Sequence, residues 1–449
     1  MIIMKFGGSS LSNAERIIRI CGIIEANLSR RPAIVLSAIE NTTDELLAAG
    51  RAALMGKVDL EAIRRIHEKI AVELGIDPDE IREFAKLFDE LEHILIGISL
   101  LRELTPKTND YLVSFGERLA VRLMVSYFDK KIAPAAFYDS WDVGFVTDSR
   151  FTNAELLSET YGNVAAFFNG PEMDRAQTPF VTGFIAKDKD GNITTLGRGG
   201  SDMTATVIGA SLQVREIQFW KDVNGIMTTD PRLVKNARPI RYVSFDEAAE
   251  LAYSGSDIMH PRSINPVKET GIPVRIKNSH EPDHPGTIIV RELPDDRNLI
   301  RSISCKRGII LVDIISPRMR GQYGFMAKIF DIFGRYGISI DLVATSEISV
   351  SLTLDHKDEI EGLRKDLEKI ATVKILRNKT IISLIGDVKH SSIILERVFQ
   401  VLKDNEINVQ MISQGASKVN ISFIVDDDEA EDSLHAIHEI LLEREGGLK

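Results

Sequence analysis

Short apolar runs alternate with amphipathic stretches over the first two-thirds of the chain. Residues 2–6, apolar but for Lys5, and the apolar run 33–36 are closed by glycine or serine, and between them Ile17, Ile18, Cys21 and Ile24 recur at helical spacing. From about residue 45 to 105 the chain is charged and poor in glycine. Ile63, Ile66 and Ile70, then Leu87, Leu91, Ile94 and Leu95, fall at helical intervals and predict a helical lobe with a solvated charged face. TPKTNDYLVSFGERLAVRLM opens a further helix, with Glu117 and Arg118 following a Ser-Phe-Gly turn. Strand-like runs return at 216–220 and 273–276, with a helix over 245–253 between them. This alternation predicts an α/β fold, an open, mainly parallel sheet with helices on both faces.

The pattern changes near 292–297, where Pro294, Asp295 and Asp296 mark a linker, and beyond it the chain repeats. IFDIFGRYGISIDLVATSEISVSLTL from Ile329 and VFQVLKDNEINVQMISQGASKVNISFIV from Val398 share the order helix, turn, strand, polar turn, alternating strand. Ile338 aligns with Ile407 and Leu352 with Phe423, so the offset grows from 69 to 71 residues across the polar turn. The repeat predicts two small α+β sandwiches of ferredoxin-like β-α-β-β-α-β type. Because the second copy ends on a helix with almost no chain left, its last strand is expected from 299–304. The resulting domains are 1–293, 308–378, and 299–304 joined to 379–445.

Composition narrows the class. With 55 basic and 66 acidic residues the net charge is −11, which argues against nucleic acid or an anionic membrane as partner. The two cysteines, Cys21 and Cys305, are too few for a disulfide framework, and no apolar run reaches membrane-spanning length. A cytoplasmic protein is expected. His67 and His93 read as surface helix residues, and no metal-ligand spacing is visible.

Three stretches carry candidate chemistry. In KFGGSS a strand bearing Lys5 runs into Gly7, Gly8 and Ser9, a turn able to cradle phosphate and feed a helix, although the P-loop spacing is absent. In TTLGRGGSD a short strand meets a glycine turn containing Arg198, with Ser201 and Asp202 as N-cap candidates for the next helix. PAIVLSAIENTTDELL places Ser37 at the end of a strand, where ligands bind in α/β sheets, with Thr43 beyond it and Thr42 read as a helix cap. The loop KDVNGIMTTDPR follows another strand and adds Lys221, Asp222, Met227, Asp230 and Arg232.

Together, KFGGSS, SFGERLA, FVTGF, LGRGGSD, KDVNGIMTTDPR and two C-terminal modules that look like ACT domains resemble an aspartate kinase of the amino-acid-kinase family over nearly the whole chain. The resemblance implies ATP-dependent phosphorylation of L-aspartate, with Mg2+ arriving on the nucleotide. It implies that Lys5, Gly7, Gly8 and Ser9 hold the phosphates, with Lys221, Asp222, Met227, Asp230 and Arg232 around the nucleotide. Ser37, Thr43, Glu117, Phe184, Arg198, Ser201 and Asp202 match the acceptor site, and Lys5, Arg198 and Asp202 are the catalytic candidates. One position departs from the family pattern: Asp257 stands where a nucleotide-side lysine is usual.

For the regulatory site, Ser339, Ile340, Asp341, Thr345, Ser346 and Glu347 resemble the lysine-binding positions of lysine-inhibited aspartate kinases, and the turn and helix start from Met319, with Gln322, Gly324 and Met326, offers backbone N–H groups to a carboxylate. Asp341 and Glu347 are two anions suited to the two ammonium groups of lysine. Association through the ACT modules implies at least a homodimer. Two other readings stand beside this one: a kinase for another small acid on the same scaffold, and a catalytically silent amino-acid sensor.

Overall fold

The structure, a computed structural model, describes residues 1–253, 259–294, 299–319, 323–355, 360–415 and 419–443. It divides into two compact units, Met1–Ile226 with Arg241–Phe245 and Ile258–Leu293, and Met227–Ile240 with Asp246–Asp257 and Pro294–Lys449.

The elements up to residue 293 are, in chain order, β1 (Ile2–Phe6), α1 (Ala14–Glu25), β2 (Pro32–Leu36), α2 (Thr42–Leu54), α3 (Glu61–Glu73), α4 (Phe84–Leu101), α5 (Pro106–Lys131), β3 (Ala135–Tyr138), β4 (Val146–Thr147) and α6 (Glu159–Asn169). There follow β5 (Thr178–Thr182), β6 (Ile185–Asp188), β7 (Ile193–Thr195), α7 (Gly200–Leu212), β8 (Ile217–Lys221), β9 (Tyr242–Ser244), α8 (Phe245–Tyr253), α9 (Pro261–Thr270), β10 (Val274–Asn278) and β11 (Thr287–Val290). Eight strands form one sheet in the order β3-β5-β2-β1-β8-β10-β11-β9, parallel throughout except where β10 meets β11. The apolar continuity of β1 and β2 follows from this position: a parallel strand between two others is covered on both faces, and every residue of both is buried. A side sheet, β4-β6-β7, stands apart. Phe6, Leu36, Leu46, Leu91, Phe115, Leu119, Phe128, Phe180 and Trp220 share one core in which the helical lobe packs its apolar stripe.

Four local expectations are corrected here. The Ser-Phe-Gly stretch is no turn: α5 runs unbroken from a Thr105 N-cap, whose Oγ1 accepts from Thr108 N at 3.1 Å, and Glu117 lies in mid-helix. A glycine is needed at 116 for packing, because an added Cβ would stand 2.8 Å from the Ala38 Cβ. The KFGG turn leads into a four-residue 3-10 turn, Gly8–Leu11, and α1 begins separately with Asn13 as its cap. Thr42 is the first residue of α2 and not its cap, which is Asn41 in the left-handed region at φ 68°. His67 is fully buried against Phe84 and Phe88, its Nδ1 paired with Ile63 O at 2.8 Å, because it lies on the same helical face as Ile63 and Ile70.

The second unit is built on β12 (Ile300–Ile315), α10 (Phe325–Arg335), β13 (Val343–Thr345), β14 (Ser349–Leu354), α11 (Ile360–Glu368), β15 (Thr372–Gly386), α12 (Ser391–Asp404), β16 (Met411–Gln414), β17 (Asn420–Asp426) and α13 (Ala430–His438). Its strands form a single antiparallel sheet, β13-β14-β12-β15-β17-β16, that runs through both modules. The two long central strands cause this. Ile309–Ile315 of β12 pair with β14 and with the first half of β15, while Ile300–Lys306 pair with Ile381–Gly386 in the second half. The register shifts between Lys306 and Leu311, around Gly308 at φ 70°, divide the halves without ending the strand. Each half has its own core, one around Val312, Phe325, Phe333 and Leu352 and the other around Ile303, Leu384, Val398 and Phe423.

Candidate active site

The site in the first unit lies where the carboxyl ends of β1 and β2 meet α5 and the start of α7. Lys5, on the central strand β1, reaches Asp202 with its Nζ 2.6 Å from Oδ1, and both side chains are buried. Burial pushes the Asp202 carboxyl up, but Lys5, Lys221 and the His260 backbone N–H outweigh it and hold the group below the usual carboxylate range. Beyond Lys5 a Cβ added at Gly7 would meet only Lys5 Nζ, at 3.7 Å, whereas one at Gly8 would stand 2.8 Å from Ala38 O, so that glycine is required by the neighbouring backbone. Glycine backbone beside a lysine ammonium fits a polyphosphate.

Asp202 is not the cap of α7. Gly199, at φ 74°, occupies that position, and Ser201 and Asp202 belong to the first helical turn. Gly199 admits no side chain, because an added Cβ would overlap the His260 Cβ. The preceding strand β7 belongs to the side sheet, so the LGRGGSD loop hangs between the side sheet and α7. Phe184, itself at φ 68°, packs under Gly200, and its carbonyl accepts from Leu196 N at 2.9 Å. Arg198 projects into solvent at the tip of this loop.

Glu117, on α5, is the second buried acid of the site. It is 4 % exposed, and Oε1 accepts from Ala38 N at 3.1 Å while Oε2 has no hydrogen-bond partner. Burial pushes its carboxyl up to about 8, against the opposing pull of the Ala38 N–H and of Lys5. Glu117, Gly8, Ser9, Ser37, Thr43 and Ser201 line one cavity of about 330 Å³, together with Ala38, Ile39, Glu40, Asn41 and Asp44. A buried carboxyl with a vacant acceptor oxygen suits a ligand ammonium, which would supply the missing partner and the missing charge.

Lys221 ends β8 and Asp222 follows it, both in the same unit. Met227, Asp230 and Arg232 belong to the second unit, where Asp230 and Arg232 form a fork with Nη2 2.7 Å from Oδ2. Their segment is anchored on the second ACT core: Ile303 N donates to Thr228 O at 2.8 Å, Thr228 Oγ1 pairs with His438 Nε2 at 2.9 Å, and Val234 is buried among the core residues. Asp257 and Gln322 lie outside the described residues. Of the regulatory candidates, Gly324 caps α10 at φ 77°, Met319 and Ile340 pack against the first ACT core, and Thr345 ends β13. Asp341 is no unpaired acid. Its Oδ2 lies 2.8 Å from Lys306 Nζ, which also meets Asp355 at 2.6 Å, so an effector ammonium would reach this carboxylate only by displacing Lys306.

Sequence reasoning missed His260, Asn153, Arg262 and Asp110, which shape the glycine loop. Only His260 left a signal, a His-Pro pair in which Pro261 opens a helix whose N-cap is His260 itself. The others act through distant backbone groups, which no local pattern announces.

A lysine–carboxylate pair beside two glycine loops, on the carboxyl side of a parallel sheet, defines a phosphoryl-transfer fold of the amino-acid-kinase kind, and the chain matches the model of the amino acid kinase family over residues 1–278. Residues 312–365 and 382–441 match the ACT domain. Aspartokinase 1, chloroplastic, of Arabidopsis thaliana is 48% identical over 98% of this chain and 80% of its own length. The lysine-sensitive aspartokinase 3 of Escherichia coli is 32% identical over 99% of both. The crystal structure of E. coli aspartokinase III with aspartate and ADP superposes with a TM-score of 0.79 at 30% identity, covering 99% of this chain and 100% of that one. The chain belongs to the amino acid kinase family and, within it, to the aspartokinases.

Proposed function

We propose that the chain transfers the terminal phosphoryl group of ATP to the side-chain carboxylate of L-aspartate, giving 4-phospho-L-aspartate for the synthesis of lysine, threonine and methionine. The observation that carries this reading is the cavity in which residues of KFGG, PAIVLSAIENTT, SFGERLA and LGRGGSD meet. Phosphoryl transfer asks for positioning and for cations over the transferring group more than for covalent chemistry. Lys5 supplies such a cation, the Gly7–Ser9 backbone receives phosphate, and Asp202 holds the Lys5 ammonium in place. Glu117 meets the acceptor's ammonium and Arg198 its carboxylate, with Ser37, Thr43, Phe184 and Ser201 around it. Lys221, Asp222, Met227, Asp230 and Arg232 are assigned to the nucleotide, and Mg2+ accompanies its phosphates, as that ion prefers oxygen ligands and water.

The assigned domains are 1–293 for the kinase, 308–378 for the first ACT module and 299–304 with 379–445 for the second. An amino acid, with lysine favoured, regulates through the first module, and the ACT modules pair two chains at least. Support for lysine comes from the E. coli relative, whose structure was solved with lysine and aspartate at 31% identity. A cytoplasmic location is proposed from the two free cysteines, and among the described residues no helix is long and apolar enough to cross a membrane.

The test is ADP release with a panel of acceptor acids, in the wild type and in Lys5→Met. Release with L-aspartate, lowered roughly 10²-fold or more by the substitution, is expected. Equal turnover on another acid, or an active Lys5→Met, overturns the reading.

A further inference from the structure

Asp110 is a fully buried carboxylate with no cation paired to it among the described residues. On α5 it stands seven residues before Glu117, hence on the same face and about 10 Å away along the axis. Its oxygens hold two other segments. Oδ2 accepts from Thr195 N at 2.9 Å and from Thr152 N at 2.8 Å, and Oδ1 accepts from Thr195 Oγ1 at 2.8 Å. Burial raises its carboxyl above the ordinary range in spite of these three donors.

Both segments bear on the glycine loop. Thr195 ends β7, two residues before Gly197, and its carbonyl accepts from Ala154 N at 2.9 Å. Thr152 has φ 72°, a conformation that a β-branched residue adopts only when its surroundings impose it. The strain places Asn153 where its Oδ1 would lie 2.5 Å from a Cβ at Gly197 and accepts from Arg262 Nη1 at 2.6 Å. The same guanidinium nitrogen donates to Leu196 O at 3.3 Å. Thus one carboxylate on the helix of Glu117 fixes both stretches that hold Leu196 and Gly197, the residues leading into Arg198.

We propose that Asp110 is a positioning residue for the acceptor: by pinning Thr195 and Thr152 to α5 it sets the span between Arg198 and Glu117, and so the length of dicarboxylate that fits. The inference rests on the assignment of Arg198 and Glu117 to the acceptor. Asp110→Asn keeps the volume but turns one acceptor into a donor facing an N–H or hydroxyl, and Thr195→Val removes a single hydroxyl. Both should raise the KM for aspartate, Asp110→Asn by about tenfold to a hundredfold, while the KM for ATP stays within about twofold. A merely structural role would move both constants together or lower kcat alone, and either result overturns the proposal, as does an unchanged aspartate KM in both variants. Arg198→Ala is measured alongside. If it leaves the aspartate KM unchanged, the acceptor assignment falls and the proposal with it; if it raises that KM while Asp110→Asn does not, only the role of Asp110 falls.

Discussion

Glu117 changes charge within the working pH range, and the sign of the effect follows from its surroundings. Burial lifts the carboxyl from 4.5 to about 8, so between those values the folded protein keeps a proton that the unfolded chain has released. Stability from this group therefore falls as pH rises through that window, by at most about 1.4 kcal/mol per unit. Glu117→Gln removes the slope, and thermal unfolding midpoints of wild type and variant, measured from about pH 5 to about pH 8, should converge at the acid end. An acceptor ammonium reverses the preference, because it pairs with the ionised form. Aspartate binding should thus expel the proton, and its apparent affinity should rise with pH up to about 8. A flat KM profile in this range would show that the ammonium goes elsewhere.

At the scale of elements, the close contact between α5 and the Ala38 segment governs Glu117. Gly116→Ala drives a methyl 2.8 Å from the Ala38 Cβ, and since Ala38 N is the donor to Glu117, the backbone that yields is the backbone that binds. The expected loss is about 1–3 kcal/mol of stability, with a raised KM for aspartate. Gly97→Ala in α4, where an added Cβ meets nothing within 4 Å, serves as control and should be neutral or stabilising by up to about 1 kcal/mol.

Contrasts of this kind explain what the sequence disclosed. Strands with both faces covered, such as β1 and β2, betray themselves as apolar runs, and the helical lobe shows its stripe. The glycine loops announced close backbone approach. The unbroken course of α5 through Ser114–Gly116 did not show, because Gly116 is required by a neighbour distant in sequence and resembles a breaker when read locally. The three-residue strand β9 owes its existence to pairing with β11 rather than to a pattern of its own. His67 lay hidden because an imidazole at a core position resembles one at the surface until the packing of Phe84 and Phe88 is known. Asp110 left no trace, since its three donors come from backbone and hydroxyl groups of remote segments.

At the scale of the whole molecule, regulation requires an effector that binds one state of the protein more tightly than another. Activity measured against lysine, threonine and methionine should fall with lysine, and Asp341→Ala should weaken that inhibition at least about tenfold, since the carboxylate held by Lys306 would no longer be available for exchange. Undiminished inhibition in the variant would place the effector away from Asp341. The shared strands β12 and β15 also bear on how the chain is made. As it leaves the ribosome, 300–306 emerge before the strand that pairs with them, because Ile381–Gly386 are still some eighty residues behind. The first module, whose strands all lie between 309 and 379, can close in the meantime, whereas the opening stretch of β12 waits as a bare edge. A later-made strand therefore covers an early-made liability, and a nascent chain halted near residue 380 should be sticky where the finished one is not.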